Sequence, residues 1–146
     1  MSKKESIAYL RAAKSSVVQW RSHVQGYALG MPVDQRHLPL VHTDSFYGRW
    51  YYSEGQQLSS LPSYDAINDY LEDVHHKYME LHKLLQTPIK KAGLFGSQDK
   101  LDQERKEQVK VLMDSTFVSA KMLVDATIQL EHELMELSDE EFDKLI

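Results

Sequence analysis

Apolar residues recur along the first segment in steps of three and four, at Leu10, Ala13, Val17, Trp20, Val24, Tyr27 and Met31. Such steps keep returning to one side of a 3.6-residue turn, so they predict a long helix over 5–31 with one buried face. Gly26 and Gly30 loosen its end and Pro32 stops it. A second series, Ile67, Leu71, Val74, Tyr78, Leu81 and Leu85, predicts a helix that Ser63 caps and that ends before Pro88. The stretch 90–98, with Gly93 and Gly96, is a loop. The longest series is Val109, Met113, Thr116, Ala120, Leu123, Thr127, Leu130, Leu134 and Leu137, a heptad-like seam on a helix over about 98–137. Val111, Phe117, Val118, Met122, Val124, Ile128 and Met135 lie partly off that seam. A helix that is apolar on more than one side needs more than one partner surface. Ser138-Asp139-Glu140-Glu141 reads as a capping box opening a terminal helical turn that ends at Ile146.

Residues 32–62 follow no helical period. They hold Pro39, Gly48, Gly55 and the aromatic cluster Phe46, Tyr47, Trp50, Tyr51 and Tyr52. Propensity alone would suit a strand there, but no partner strand exists elsewhere, so a short helix over 45–52 is expected. The expectation is an all-α single domain over 1–146, an up-down four-helix bundle. An irregular aromatic-rich segment with a short helix lies between helices 1 and 3.

Composition agrees with a folded chain: 42% of residues are hydrophobic and 27% charged, too apolar for disorder. The formal net charge is −5, with acid concentrated at Glu131, Glu133, Glu136, Asp139, Glu140, Glu141 and Asp143. That balance repels phosphate backbones, so no nucleic-acid partner is expected. With no cysteine there is no disulfide and no thiolate ligand or nucleophile. No apolar signal core follows Met1-Ser2-Lys3-Lys4-Glu5, and no run of about 18 apolar residues could span a bilayer. A cytoplasmic protein without membrane contact is expected, with the periplasm as the alternative.

Three spaced features resemble the chemoreceptor zinc-binding domain, a family of bacterial sensory modules. Trp20 stands where that family has an aromatic three residues after a helix-1 histidine. Ser45-Phe46-Tyr47-Gly48-Arg49-Trp50 is similar to its Cys-x-apolar-Gly-x-aromatic motif, and His75 leads what would be a His-x-x-x-His pair. The resemblance covers about 8–85 plus a final helix. It implies a helical bundle, a sensory role, a domain that commonly dimerises, and four metal-ligand positions at Val17, Ser45, His75 and Met79, with Trp20, Tyr47, Gly48 and Trp50 as supporting residues. Only His75 of the four is a strong ligand. Zinc wants four N, S or O donors in a tetrahedron, so no zinc and no other cofactor is expected.

The remaining chemistry is sparse. Lone histidines are usually hydrogen-bonded core or surface groups, and that is the plain reading of His75. Beside it stands a vestigial ligand site, with Ser45 hydrogen-bonding His75 while Val17 and Met79 fill the metal's volume. His75 and His76 point about 100° apart on a helix and cannot share an ion. His82 lies seven residues from His75, about 10 Å along the axis. Glu72 with His75 reads as a solvated pair, His75 with Met79 would suit a soft ion such as Cu(I), and His42 could add a ligand from its loop. Ser45, His75 and Asp44 or Asp73 have the composition of a hydrolase triad but lack a nucleophile elbow, so no enzyme is expected. Trp20 and Trp50 read as core. The expectation is a non-enzymatic, stand-alone sensory-type or protein-interaction module, homodimeric, with an unknown protein partner and no attached output domain. The alternative is a metal- or small-molecule-binding bundle that uses the interior around His75.

Overall fold

The computed structural model describes residues 1–145, and among them every regular element is helical. Five α-helices follow in order: α1 (Lys3–Ala28), α2 (Phe46–Tyr51), α3 (Tyr64–Gln86), α4 (Gln98–Met135) and α5 (Asp139–Asp143). Single 3-10 turns occupy Gln35–His37, His42–Asp44 and Glu54–Leu58. The aromatic-rich segment is therefore helix and turns, without a strand, and the expected end of the last turn at Ile146 lies outside the described residues.

Local chemistry sets the ends. α1 begins earlier than its apolar series because Ser2 and Glu5 form a reciprocal capping box: the Glu5 N–H donates to Ser2 Oγ (3.1 Å) and the Ser2 N–H to the Glu5 carboxylate (3.2 Å). The expected box at Ser138 and Glu141 opens α5 in the same way. Ser63 behaves otherwise. It stands at the start of α3 but makes no cap to its own helix, and its N–H (2.9 Å) and hydroxyl donate to the Glu133 carboxylate on α4. That start is fixed by a tertiary partner.

Side-chain pairs give the helix directions. Trp20 meets His75 and Tyr78, and further along Tyr27 meets His82 and Gln86, so α1 and α3 run parallel. Arg11 pairs with Glu131 and Arg21 lies over Phe117, while Ser63 reaches Glu133 and Arg105 donates to the Leu84 carbonyl; α4 is antiparallel to both. The chain returns between α1 and α3 through 29–63, where an up-down bundle would place a descending helix. That stretch carries only turns and the six-residue α2.

The core joins Leu10, Val17 and Trp20 of α1 to Leu71, Val74 and Tyr78 of α3 and to Leu123, Leu130 and Leu134 of α4, with Tyr47, Trp50 and Tyr51 closing the open side. Trp20 and Trp50 are core residues, as expected. Met31, placed in the α1 stripe by spacing, falls beyond the helix end and is exposed. On α4 the first buried residue is Thr116, although the helix, at 1.5 Å per residue, is about 57 Å long. Off its seam, Phe117, Val124 and Ile128 are half-buried, whereas Val111, Val118, Met122 and Met135 are exposed.

Candidate functional site

Five of the eight positions singled out by the resemblance line one cavity of about 180 Å³ between α1, α3 and the irregular segment; Gly48, Trp50 and Met79 do not. Val17 and Trp20 come from α1, Ser45 and Tyr47 from the start of α2, and His75 from α3. Met79 does not line it. It borders a shallower groove beyond His75, with His42, Glu72, Asp73 and His76. Three of the four positions thus share a cavity, and the fourth falls outside because the i, i+4 step from His75 carries it toward solvent.

Ser45 does not hydrogen-bond His75, contrary to expectation. Its hydroxyl donates to the His42 carbonyl (2.7 Å) and accepts from the Gly48 N–H (2.9 Å), capping α2. Gly48 is present for a steric reason: a Cβ there would sit 1.9 Å from the His42 carbonyl oxygen. Gly55 is similarly pressed, with its Cβ position 3.1 Å from the Trp50 ring. Tyr47 reaches through the core to Thr127, with 2.6 Å between the hydroxyl oxygens. Since Thr127 Oγ1 donates to the Leu123 carbonyl (2.7 Å), the Tyr47 hydroxyl is the donor of that pair. Burial pushes the Tyr47 phenol well above its usual range, so it stays protonated.

His75 is 6% exposed, and its Nδ1 has no hydrogen-bond partner among the described residues. Burial, then the neighbouring His42, pushes its pKa down to about 4, although the Pro39 carbonyl beside the ring acts in the other direction. The imidazole is neutral at neutral pH. The His42 and His75 ring centroids are 6.5 Å apart, so His42 does approach, but its Nε2 lies 3.9 Å from the Glu72 carboxylate on the groove side. The Trp20 and His75 ring centroids lie 5.6 Å apart in a tilted contact, and the Trp20 indole N–H is buried without an acceptor among the described residues. The plain reading of His75 is a buried neutral imidazole with a polar partner; the ring is neutral and buried with the Pro39 carbonyl beside it, and Nδ1 is left over.

Two residues absent from the sequence-based site complete the cavity. His23 and His37 stack face to face, centroids 4.5 Å apart and planes within 7°, and both line it. His37 is exposed and His23 half-buried, so the stack sits where the cavity meets solvent. His23 was legible, being one turn from Trp20 on the same face of α1. His37 lies in a turn without periodicity, and only folding brings it there.

The other candidates disperse. His76 faces solvent and pairs with Glu80 (3.3 Å), and His82 accompanies Tyr27. Asp73 accepts from the Ser119 hydroxyl (2.5 Å) and from Lys77 (3.2 Å), turned toward α4 and away from any triad with Ser45. Among the described residues no group of three or more His, Asp or Glu side chains is arranged to hold a metal ion. No described helix is long and apolar enough to cross a membrane. Comparison with protein-family models, with curated proteins and with solved structures returns no match for this chain.

Proposed function

We propose that this chain is a non-catalytic, sensory-type interaction module. It acts by binding protein, in the first place a second copy of itself, in the cytoplasm. One observation carries the reading: Val111, Val118 and Met122 stand exposed (67%, 60% and 45%) on α4, within about 40° of one another at 100° per residue. They form an apolar row turned about 130–140° from the centre of the stripe that α4 buries, on its outward side. A second copy burying that row against its own would remove it from water, and dimerisation is what the resemblance implies. Light scattering at tens of micromolar should give twice the mass of one chain, and Val118→Glu with Met122→Glu should halve it. The mass of a single chain for the unmodified protein would sink the proposal.

A second reading, a bundle that takes a small molecule into its interior, is favoured by the cavity beside His75. Its mostly apolar walls, with room for one small ring, suit a ligand better than they suit a packed core. Such a ligand would signal by raising the stability of the bound form.

A further inference from the structure

Leu94 and Phe95 are the most exposed large apolar residues described, at 93% and 98%. They are neighbours at the tip of a turn between α3 and α4, closed by the Gly96 N–H donating to the Gly93 carbonyl (3.1 Å). The chain on either side of the turn is pinned. The Ala92 N–H donates to Gln98 Oε1 (2.9 Å), Gln98 Nε2 donates to the Lys90 carbonyl (3.2 Å), and Arg105 donates to the Thr87 carbonyl (2.6 Å). With both feet fixed, the tip has less freedom left to lose on contact. Charge at this end of the molecule runs against the rest of the chain. Residues 83–98 hold three lysines and no acid, in a protein whose net charge is −5. Lys90, Lys91 and Lys100 border one shallow hollow at the foot of the turn, where Glu104 is the acid among the lining residues.

We infer that this turn docks on an anionic lipid surface, with Leu94 and Phe95 entering the headgroup–acyl boundary and Lys90, Lys91 and Lys100 meeting lipid phosphates. Apolar insertion and a basic collar are the two signals that a reversible membrane contact combines, since either alone is marginal. A protein groove recognises an extended strand, an amphipathic helix face or a polyproline run, and two adjacent side chains on a turn match none of these. The surface is also separate from the apolar row on α4, whose first member, Val111, lies about 20 Å along the axis from the start of that helix. A tip of this kind touches a membrane without spanning it. The lack of a spanning helix among the described residues, on which the expectation of no membrane contact rests, therefore does not bear on it.

Co-sedimentation of the full chain with vesicles tests the assignment. The protein should sediment with mixed phosphatidylcholine–phosphatidylglycerol vesicles at low salt. It should stay in solution with pure phosphatidylcholine, and also at about 1 M salt, where screening leaves charges a reach of only about 3 Å. Leu94→Ser with Phe95→Ser should weaken binding about tenfold or more. Lys90→Ala with Lys91→Ala should weaken it about thirtyfold, the equivalent of about 1 kcal/mol for each lysine. All four side chains are exposed, so both variants should keep the melting temperature and the mass of the unmodified protein, which separates this contact from dimerisation. Phe95→Trp adds an exposed indole to two buried ones, and its emission should move to shorter wavelength with the anionic vesicles only. Equal sedimentation with neutral vesicles would overturn the role of the lysines, and binding that survives Leu94→Ser with Phe95→Ser would overturn the tip. If no vesicle brings the protein down, the lipid surface is overturned as the occupant. A fall in mass on Leu94→Ser with Phe95→Ser would then assign the tip to a second copy instead.

Discussion

Gly48 shows how much one residue can decide. Its motif looked like a short aromatic signature, yet its requirement is a contact: the α2 backbone crosses the His42–Asp44 turn so closely that no Cβ fits. Gly48→Ala should therefore destabilise by about 2–4 kcal/mol in urea unfolding. Gly93→Ala, with nothing within 4 Å of the added carbon, should be close to neutral. His75 gives a pH dependence whose sign follows from its burial. Its folded pKa of about 4 lies below the ordinary value of 6.5, so the unfolded chain binds the extra proton between those values. The stability at stake is complete above pH 6.5 and is lost as pH falls toward 4, by at most about 3 kcal/mol. His42 faces the ring from the His42–Asp44 turn, and His23 and His37 share its cavity, so the measurement is a difference. Unfolding at pH 7 and pH 4.5 should show a smaller loss for His75→Gln than for the unmodified chain. Equal losses would remove His75 as the cause.

Among the elements, α4 organises the rest, because both α1 and α3 pack along it. The small side chains Thr116, Ser119, Ala120 and Thr127 in its buried stripe let neighbours approach, and polar links lock their register. Lys3 donates to the Leu137 carbonyl (2.5 Å), Arg11 Nε to the buried Glu131 carboxylate (2.5 Å), and Ser119 to Asp73. Arg11→Ala leaves Glu131, 7% exposed, without its ion-pair partner. A loss of about 1–3 kcal/mol in thermal or urea unfolding is expected. Arg36→Ala, which removes only the exposed pair with Asp34, should leave the melt where it is. If the two variants behave alike, the α1–α4 register does not depend on Glu131.

For the molecule as a whole, the zinc question turns on convergence. Val17, Ser45 and His75 meet at one cavity, but valine brings hydrocarbon, the serine hydroxyl is engaged in capping α2, and Met79 borders a different groove. The purified protein should carry no stoichiometric zinc by elemental analysis, and a chelator should leave its thermal melt unchanged. About one tightly held zinc per chain would overturn this, and with it the reading of the four positions. The long α4, whose first turns reach beyond the buried stripe, also suits a molecule that presents a helix to others.

The sequence by itself determined the three long helices and most of their ends. Apolar residues at helical steps, the capping box at Ser138, and Pro32 and Pro88 are local signals that act within a few residues; the box at Ser2 is as local, but the structure revealed it. It also marked Trp20 and His75, which stand in or beside periodic stripes, and Trp50, a large aromatic, as core or near-core positions. Only the tertiary structure decided that α1 and α3 run parallel, that 29–63 makes the return, and that Ser63 is held by Glu133. It alone brought His37 onto His23, placed Met79 outside the cavity and left the buried Trp20 and His75 each with a ring nitrogen unpartnered among the described residues. The physical reason is range. Periodicity and caps report the face of one helix, whereas a cavity is what remains between several, and its shape depends on how an irregular segment without periodicity closes over them.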